Sequence, residues 1–293
     1  LLLLLLPFAS VSQELEWAYT LESDGWSQSQ MVKYLNTDYF LSAGVFQGTM
    51  DIDPTASEYL LNCDNYYGSY VAKYSVDGDV IWGFALTGTN EVLINEFAID
   101  NEGCIYVTGY YTGDSVDFDP GNDTAYLFTT GYDESFIAKY DSTGNYIWVK
   151  GFGDEKIESH DNESNSLAID QEGNVIITGS FQGKYVFTNS SVSDTCESGE
   201  AADMYMVKYS SDGEYICNIH FGDEIYDIQF GWNYGNCIRI DHRNNIVVTG
   251  TFEEQIDLDP SEDSLIFDAG AYSDIFFAKY NQDGDLIWAK SIE

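Results

Sequence analysis

Leu167-Ala168-Ile169-Asp170-Gln171-Glu172-Gly173-Asn174-Val175-Ile176-Ile177-Thr178-Gly179 reads as a β-hairpin: a short apolar run, a turn, and a β-branched run. Equivalent stretches align without a gap at 97–109 and 238–250. Gly103 and Asn244 hold the place of Gly173, and Asp38 holds it in the first copy. Glycine, Asn and Asp are the residues that tolerate a left-handed backbone, so this position is expected to have positive φ. A second hairpin follows the same plan: Phe136-Ile137-Ala138-Lys139-Tyr140, a turn at Gly144, then Tyr146-Ile147-Trp148-Val149.

Outward from these hairpins the chain is periodic. Lys-Tyr pairs begin at Lys73, Lys139, Lys208 and Lys279, at intervals of 66, 69 and 71 residues. Gly44, Gly109, Gly179 and Gly250 precede those lysines by 29, 30, 29 and 29 residues. Nine residues after each lysine stand Trp82, Trp148, Cys217 and Trp288, with Gly78, Gly144, Gly213 and Gly284 marking a turn in between. Each module therefore reads as four strands in meander order. No stretch carries a sustained helical period bounded by caps, so helices are expected to be few. Small sheets that are apolar on both faces cannot stay dry alone and must stack. The predicted fold class is all-β: a β-propeller built of four-stranded antiparallel blades, here an incomplete, open set of four repeats.

At motif level the chain resembles the secreted bacterial β-propeller repeat, the SBBP type. The resemblance rests on Leu167-Ala168-Ile169-Asp170 with Gly173-Asn174-Val175 and Thr178-Gly179, on Val116-Asp117-Phe118-Asp119-Pro120-Gly121, and on Phe136-Ile137-Ala138-Lys139-Tyr140 with Trp148. It covers nearly all of residues 14–293, and the third module departs from it at Val186-Phe187-Thr188-Asn189 and at Cys217. The resemblance implies an exported, often cell-surface propeller and no single activity.

The expected domain plan is a truncated signal peptide at 1–12 and propeller repeats at 13–293. The modules fall at about 14–81, 82–147, 148–216 and 217–284, with the start of a further blade strand at 285–293. Leu1 to Leu6, followed by small residues before Gln13, carry the signal reading. Both Glu14 to Tyr19 and Asp285 to Lys290 look like fourth strands, one more than a closed ring of four would need. An open arc with further modules beyond Glu293 is therefore expected.

Composition bounds the function. Fifty acidic residues against eleven basic ones give a formal charge of -39, which repels nucleic acid and anionic membranes. No segment approaches the length of a transmembrane helix. Cys63, Cys104, Cys196, Cys217 and Cys237 show no disulfide framework and no metal-binding spacing, although a Cys217–Cys237 bridge stays open. Cys217 reads as a buried apolar thiol.

Meander order is expected to gather the glycine turns on one face and the long connections on the other. The long face would carry Asp-x-Asp-Pro at Asp51 and Asp53, Asp117 and Asp119, and Asp257 and Asp259, with Asp123 and Asp263 as third acids. Two readings of these acids stand: ligands for a hard cation, calcium being the natural candidate, or solvated acids in structural turns. Trp26, Trp232 and Tyr234 fall in connections outside the repeated tryptophans. They read either as an aromatic platform for a glycan or protein ligand or as loop aromatics closing the blade ends. The Lys-Tyr lysines read as strand-edge charges offsetting the acidic field. Ser159-His160-Asp161 are consecutive and point apart, which no nucleophile relay tolerates. The sequence thus supports an exported non-enzymatic binding or display scaffold, adhesin-like, with an acidic loop face that could bind calcium and with no certain cofactor. The alternatives are a secreted hydrolase using loop carboxylates and a purely structural spacer.

Overall fold

A computed structural model describes residues 18, 20–129, 133–153, 162–188, 193–198, 201–222, 231–261, 263–270 and 272–292. The expected signal segment 1–12, the strand expected at Glu14 to Tyr19, except for Ala18, and the Ser159-His160-Asp161 triplet lie outside these residues.

Every regular element among the described residues is a β-strand. Four antiparallel sheets follow one another along the chain. The first holds Ser27–Tyr34, Tyr39–Asp51, Leu60–Ser75 and Val80–Leu86, with the short strand Glu22–Ser23 added at the end of its second strand. The second holds Val92–Ile99, Ile105–Thr112, Asp133–Tyr140 and Tyr146–Phe152, and the third Glu163–Ile169, Val175–Phe181, Asp203–Tyr209 and Tyr215–Phe221. The fourth holds Asn233–Ile240, Ile246–Phe252, Asp274–Tyr280 and Leu286–Ile292. Each is a meander, strand pairing with strand in chain order.

The repeated glycines have a steric cause. A β-bulge interrupts the first strand of every sheet, where the pairing skips Gln30, Asn95, Asn165 and Asn236. The bulge pushes a first-strand carbonyl into the second strand. A Cβ on Gly44, Gly109, Gly179 or Gly250 would lie 2.2, 1.8, 1.9 or 1.8 Å from the carbonyl oxygen of Gln28, Leu93, Glu163 or Tyr234. Only glycine fits there.

Three apolar clusters fill the seams between successive sheets. Val71 and Leu86 meet Phe97 and Phe136 in the first, Ile137 and Phe152 meet Leu167 and Tyr205 in the second, and Met206 and Phe221 meet Ile238 and Phe276 in the third. Burying one such side chain contributes about 1.5–3 kcal/mol, so each seam outweighs any single polar contact across it.

Polar latches set the register of the stack. The bulged Asn95 donates from Nδ2 to the Ser164 carbonyl at 3.2 Å, and Asn165 donates to the equivalent Gly235 carbonyl at 3.3 Å. Lys73, Lys139 and Lys208 each reach a carbonyl in the last turn of the following sheet, on Ser142, Ser211 and Gln282, at 3.4, 3.0 and 3.5 Å. These lysines are therefore seam residues rather than strand-edge charges. Tryptophan makes the third latch. A Cβ on Gly144 would sit 3.1 Å from the Trp82 ring, and one on Gly213 would sit 2.8 Å from Trp148, whose Nε1 donates to the Ser211 carbonyl. Those turn glycines also adopt φ of 85° and 78°.

Several expectations are corrected. The strand expected to open a further blade at 285–293 is Leu286–Ile292, which completes the fourth sheet, so the module cuts near 81, 147, 216 and 284 separate each fourth strand from its own sheet. Gly103, Gly173 and Asn244 have φ of 84°, 83° and 64°, but Asp38 does not join them. The first turn is instead closed by Asn36 Oδ1, which accepts from the Asp38 and Tyr39 amides. All five cysteines are free, which removes the Cys217–Cys237 bridge, and Cys217 is exposed rather than buried.

Candidate functional site

The Asp-x-Asp-Pro acids are built into turns. Asp51 Oδ1 accepts from the amides of Asp53 and Tyr59 at 2.9 Å each. Asp117 Oδ1 does the same for Asp119 and Ala125, and Asp257 Oδ1 for Asp259 and Leu265. The second acid of each motif then accepts from the amide two residues on: Asp53 from Thr55, Asp119 from Gly121, Asp259 from Ser261. Each pair thus closes an eight-residue loop and caps the turn that follows, as Asx chemistry does elsewhere. Asp123 sits exposed in its loop, and Asp263 donates its amide to Ser261 Oγ. Among the described residues no three His, Cys, Asp or Glu side chains are arranged to hold a metal ion.

In three of the four Lys-Tyr pairs the tyrosine holds this loop in place. Tyr74, Tyr140 and Tyr280 donate their hydroxyls to the carbonyls of Ile52, Phe118 and Leu258 at 3.0, 2.9 and 2.8 Å. Ile52, Phe118 and Leu258 are the middle residues of Asp-x-Asp-Pro, and all three are fully buried. In the second and fourth sheets the excursion is a short hairpin, Ser115–Asp117 with Tyr126–Phe128 and Gln255–Asp257 with Ile266–Asp268.

This anchoring overturns the expected division of faces. The tyrosines stand at the glycine-turn end of their strands, so the acidic loops return to the rim where the glycine turns lie. Pro54 accordingly shares a cavity with Gly78, and Asp259 and Pro260 share a groove with Asp283, Gly284 and Asp285. The excursion folds back because burying its middle apolar residue in the seam outweighs leaving the loop extended in water.

Trp26 and Trp232 occupy the opposite rim, where the first strands enter. They are register equivalents, each three residues before the residue paired with the repeated glycine, and their carbonyls accept from Gln47 and Glu253. The variable connections ahead of them hide this in the sequence. Trp26 packs edge-on to Tyr67 at 5.4 Å, and Tyr67 to Tyr66 at 4.5 Å. Trp26 and Tyr66 are 49% and 54% exposed. Trp232 stacks on Tyr234 at 6.2 Å and 7°. The two groups belong to the first and fourth sheets, and no ring contact joins them among the described residues.

Sequence reasoning missed a charge cluster that does not repeat. Glu96, 8% exposed, takes Lys33 Nζ on Oε1 at 2.6 Å and Arg239 Nη2 on Oε2 at 3.0 Å. Arg239 Nη1 also reaches Ser166 Oγ at 3.1 Å. One residue from the first strand of each of four sheets meets here, which places those strands innermost around a common axis. The available signal was Arg239, one of two arginines in an acidic chain. His220 is engaged by Asp203 at 2.8 Å beside Phe181, in the third sheet, while His242 lies in the first turn of the fourth.

An innermost strand, three strands outward and sheets stacked about an axis are the parts of a propeller. The chain is 28% identical over 242 residues to an uncharacterized WD repeat-containing protein of Acanthamoeba polyphaga mimivirus, a match covering 73% of this chain and 16% of that protein. This is a β-propeller-type repeat protein. The chain spans only 16% of the length of the relative it matches. No protein-family profile matches it. No helix among the described residues is long and apolar enough to cross a membrane.

Proposed function

We propose that the chain is an exported, non-enzymatic propeller-type scaffold that binds a ligand on the rim opposite its glycine turns. The observation that carries this reading is the cluster of Trp26, Tyr66 and Tyr67, whose rings pack edge to face and leave Trp26 and Tyr66 half exposed. Rigid aromatics at a strand entry suit the flat apolar face of a sugar ring or an apolar peptide side chain. The non-enzymatic reading is supported by the engagement of the acids: the pairs a loop-carboxylate hydrolase would use accept backbone amides instead. Export and display at a surface are supported by the leader-like run Leu1 to Leu6 and by the motif-level resemblance to secreted repeats. Calcium forms no part of this proposal, because the first acid of each motif already accepts two amides through one oxygen.

The test is a glycan and peptide array probed with wild type, Trp26→Ala, Tyr66→Ala and Trp232→Ala proteins. Loss of binding by about tenfold or more in the first two variants, with Trp232→Ala unchanged, is the expected result, in the range of an aromatic hot spot. Absence of any ligand, as a spacer would give, or equal loss in Trp232→Ala overturns it.

A further inference from the structure

The aromatic group on the ligand rim is built on a break in the first sheet. Where its two long strands pair, Phe46 faces Gly68 and Gly48 faces Cys63, so Gln47 alone stands opposite Asp64, Asn65, Tyr66 and Tyr67. The longer side must bulge out of the ladder. The bulge is tied toward the second sheet: Asn65 Nδ2 donates to the Gly88 carbonyl, and Tyr67 forms an isolated bridge with Glu91. On the shorter side the Gln47 amide donates to the Trp26 carbonyl at 2.8 Å, and Trp26 packs edge-on to Tyr67. The rings are thus fixed from the seam between the first two sheets.

Acids accompany these rings. Asp64 is exposed in the bulge itself, and Asp24, two residues before Trp26, is exposed and accepts from the Thr49 amide through Oδ1 at 2.6 Å. The cations that the structure pairs lie elsewhere. Lys73, Lys139 and Lys208 reach carbonyls at the glycine-turn rim, Lys279 bonds Asp241 there, and Lys33 and Arg239 share Glu96 at the axis. Three rings of the fold already carry an ammonium group: Lys33 lies 4.9 Å from the Phe97 centroid, Lys73 4.7 Å from that of Tyr39, and Lys139 4.8 Å from that of Tyr106. Among the described residues no lysine or arginine lies over Trp26, Tyr66 or Tyr67.

We infer that the ligand of this rim is cationic: a basic peptide segment of a partner protein, with an arginine side chain against Trp26 and Tyr66. This rests on the ligand-rim reading and names the ligand class. An aromatic face carries negative potential and attracts a guanidinium, which is planar, weakly hydrated and stacks on rings. Asp24 and Asp64 supply carboxylates for its N–H groups. A chain of formal charge -39 draws such a segment in and repels an acidic one. A neutral sugar would use the rings and gain nothing from the acids, so the charge selects among the ligands that the rings alone would admit.

Fluorescence anisotropy at physiological salt tests it, with a labelled Gly-Ser peptide carrying three arginines and the same peptide with citrulline, a neutral near-isostere, in their place. Wild type is expected to bind the arginine peptide about tenfold or more tightly than the citrulline peptide. Trp26→Ala and Asp64→Lys are each expected to weaken arginine-peptide binding by about tenfold. Asp263→Lys makes the same charge change on the glycine-turn rim and is expected to alter binding by no more than about twofold, since distant exposed charges are screened. The substituted side chains are exposed or half exposed, and a thermal melt verifies folding. Equal loss in the two lysine variants would mean that overall charge alone attracts the peptide, and overturns the inference. So does a citrulline peptide that binds as well as the arginine one. Trp26-dependent binding of a neutral glycan or apolar peptide, without binding of the arginine peptide, overturns it and leaves the rim reading standing; no Trp26-dependent binding of any probe sinks both.

Discussion

Alanine at Gly179 should damage this fold more than alanine at Gly173, although Gly173 has the unusual backbone. At Gly173, φ is +83° and an added Cβ would meet nothing within 4 Å. Its cost is left-handed strain alone, about 1–2 kcal/mol, partly offset by the lower entropy of the unfolded alanine chain, about 0.4–1 kcal/mol. Gly179 has no such strain, but its Cβ would lie 1.9 Å from the Glu163 carbonyl oxygen and 3.0 Å from the Ser164 Cα. Both are backbone, so no rotamer change relieves the clash; the bulge must open. Overpacking of this kind costs about 1–3 kcal/mol. Opening the bulge also displaces Asn165, whose bond to Gly235 latches the next sheet, for about 1 kcal/mol more. The expected loss is about 2–4 kcal/mol for Gly179→Ala against about 1 kcal/mol for Gly173→Ala. At about 2 °C per kcal/mol for a chain of this size, the melting temperatures should differ by about 2–6 °C. Thermal melts followed by tryptophan fluorescence and by far-ultraviolet circular dichroism measure this and check that the two probes agree. Gly173→Asn should lie close to wild type, since Asn244 already holds the equivalent position at φ 64°. A Gly179→Ala protein no less stable than Gly173→Ala would refute the steric account of the repeated glycine.

Tyr140→Phe should destabilise by about 1–3 kcal/mol, because it leaves the buried Phe118 carbonyl without its hydroxyl partner. Tyr126→Phe, at a 51% exposed ring, should change urea midpoints little. Millimolar calcium should raise the melting temperature no more than magnesium at equal ionic strength, since the Asp-x-Asp-Pro acids are engaged by amides; a calcium-specific rise in calorimetry would restore the ligand reading. Stability should fall in acid. Burial pushes the Asp141 carboxyl up, but bonds from Thr143 and Asn145 outweigh it and hold the group from 3.8 down to about 2. Bonding to Lys279 and the Asn245 amide likewise lowers Asp241. A depressed folded pKa contributes stability that is present above 3.8 and lost as pH falls toward 2. Melting at pH 4, 3 and 2 should show that loss, and Asp141→Asn should flatten part of it.

The strand plan was legible because its markers are residues that backbone geometry compels. Gly109 and Gly179 answer a bulge, and Gly144 and Gly213 answer both a left-handed turn and a tryptophan above it. Their spacing survives while the connections vary. The candidate sites were less legible, because a sequence shows a loop's length and not its direction. Asp117-Phe118-Asp119-Pro120 reads as an excursion away from the turns, and only the Tyr140 hydroxyl and the buried Phe118 bring it back. Recurrence likewise revealed Lys73, Lys139 and Lys208 without showing the carbonyl each one reaches across the seam. Burial of Cys217 was inferred from the tryptophans it replaces, but a thiol is too short to reach the next turn and stays exposed.

That substitution makes the third seam unlike the other two. Where Trp82 and Trp148 cover Gly144 and Gly213, Cys217 leaves a small void of about 20 Å³ against Gly284, and the Lys208 latch is the longest of the three at 3.5 Å. The outer part of this seam has therefore lost its aromatic cover. The compensation lies at the axis, where Arg239 of the fourth sheet bonds Ser166 of the third and Glu96 of the second. Glu96 is nearly buried, and its paired oxygens would be costly to leave without cations, so both Lys33 and Arg239 are held to it. Where the outer tryptophan is missing, the fourth sheet is thus held by the apolar seam together with Arg239 at the axis and the bonds of Asn244 to Gln171 and Glu172.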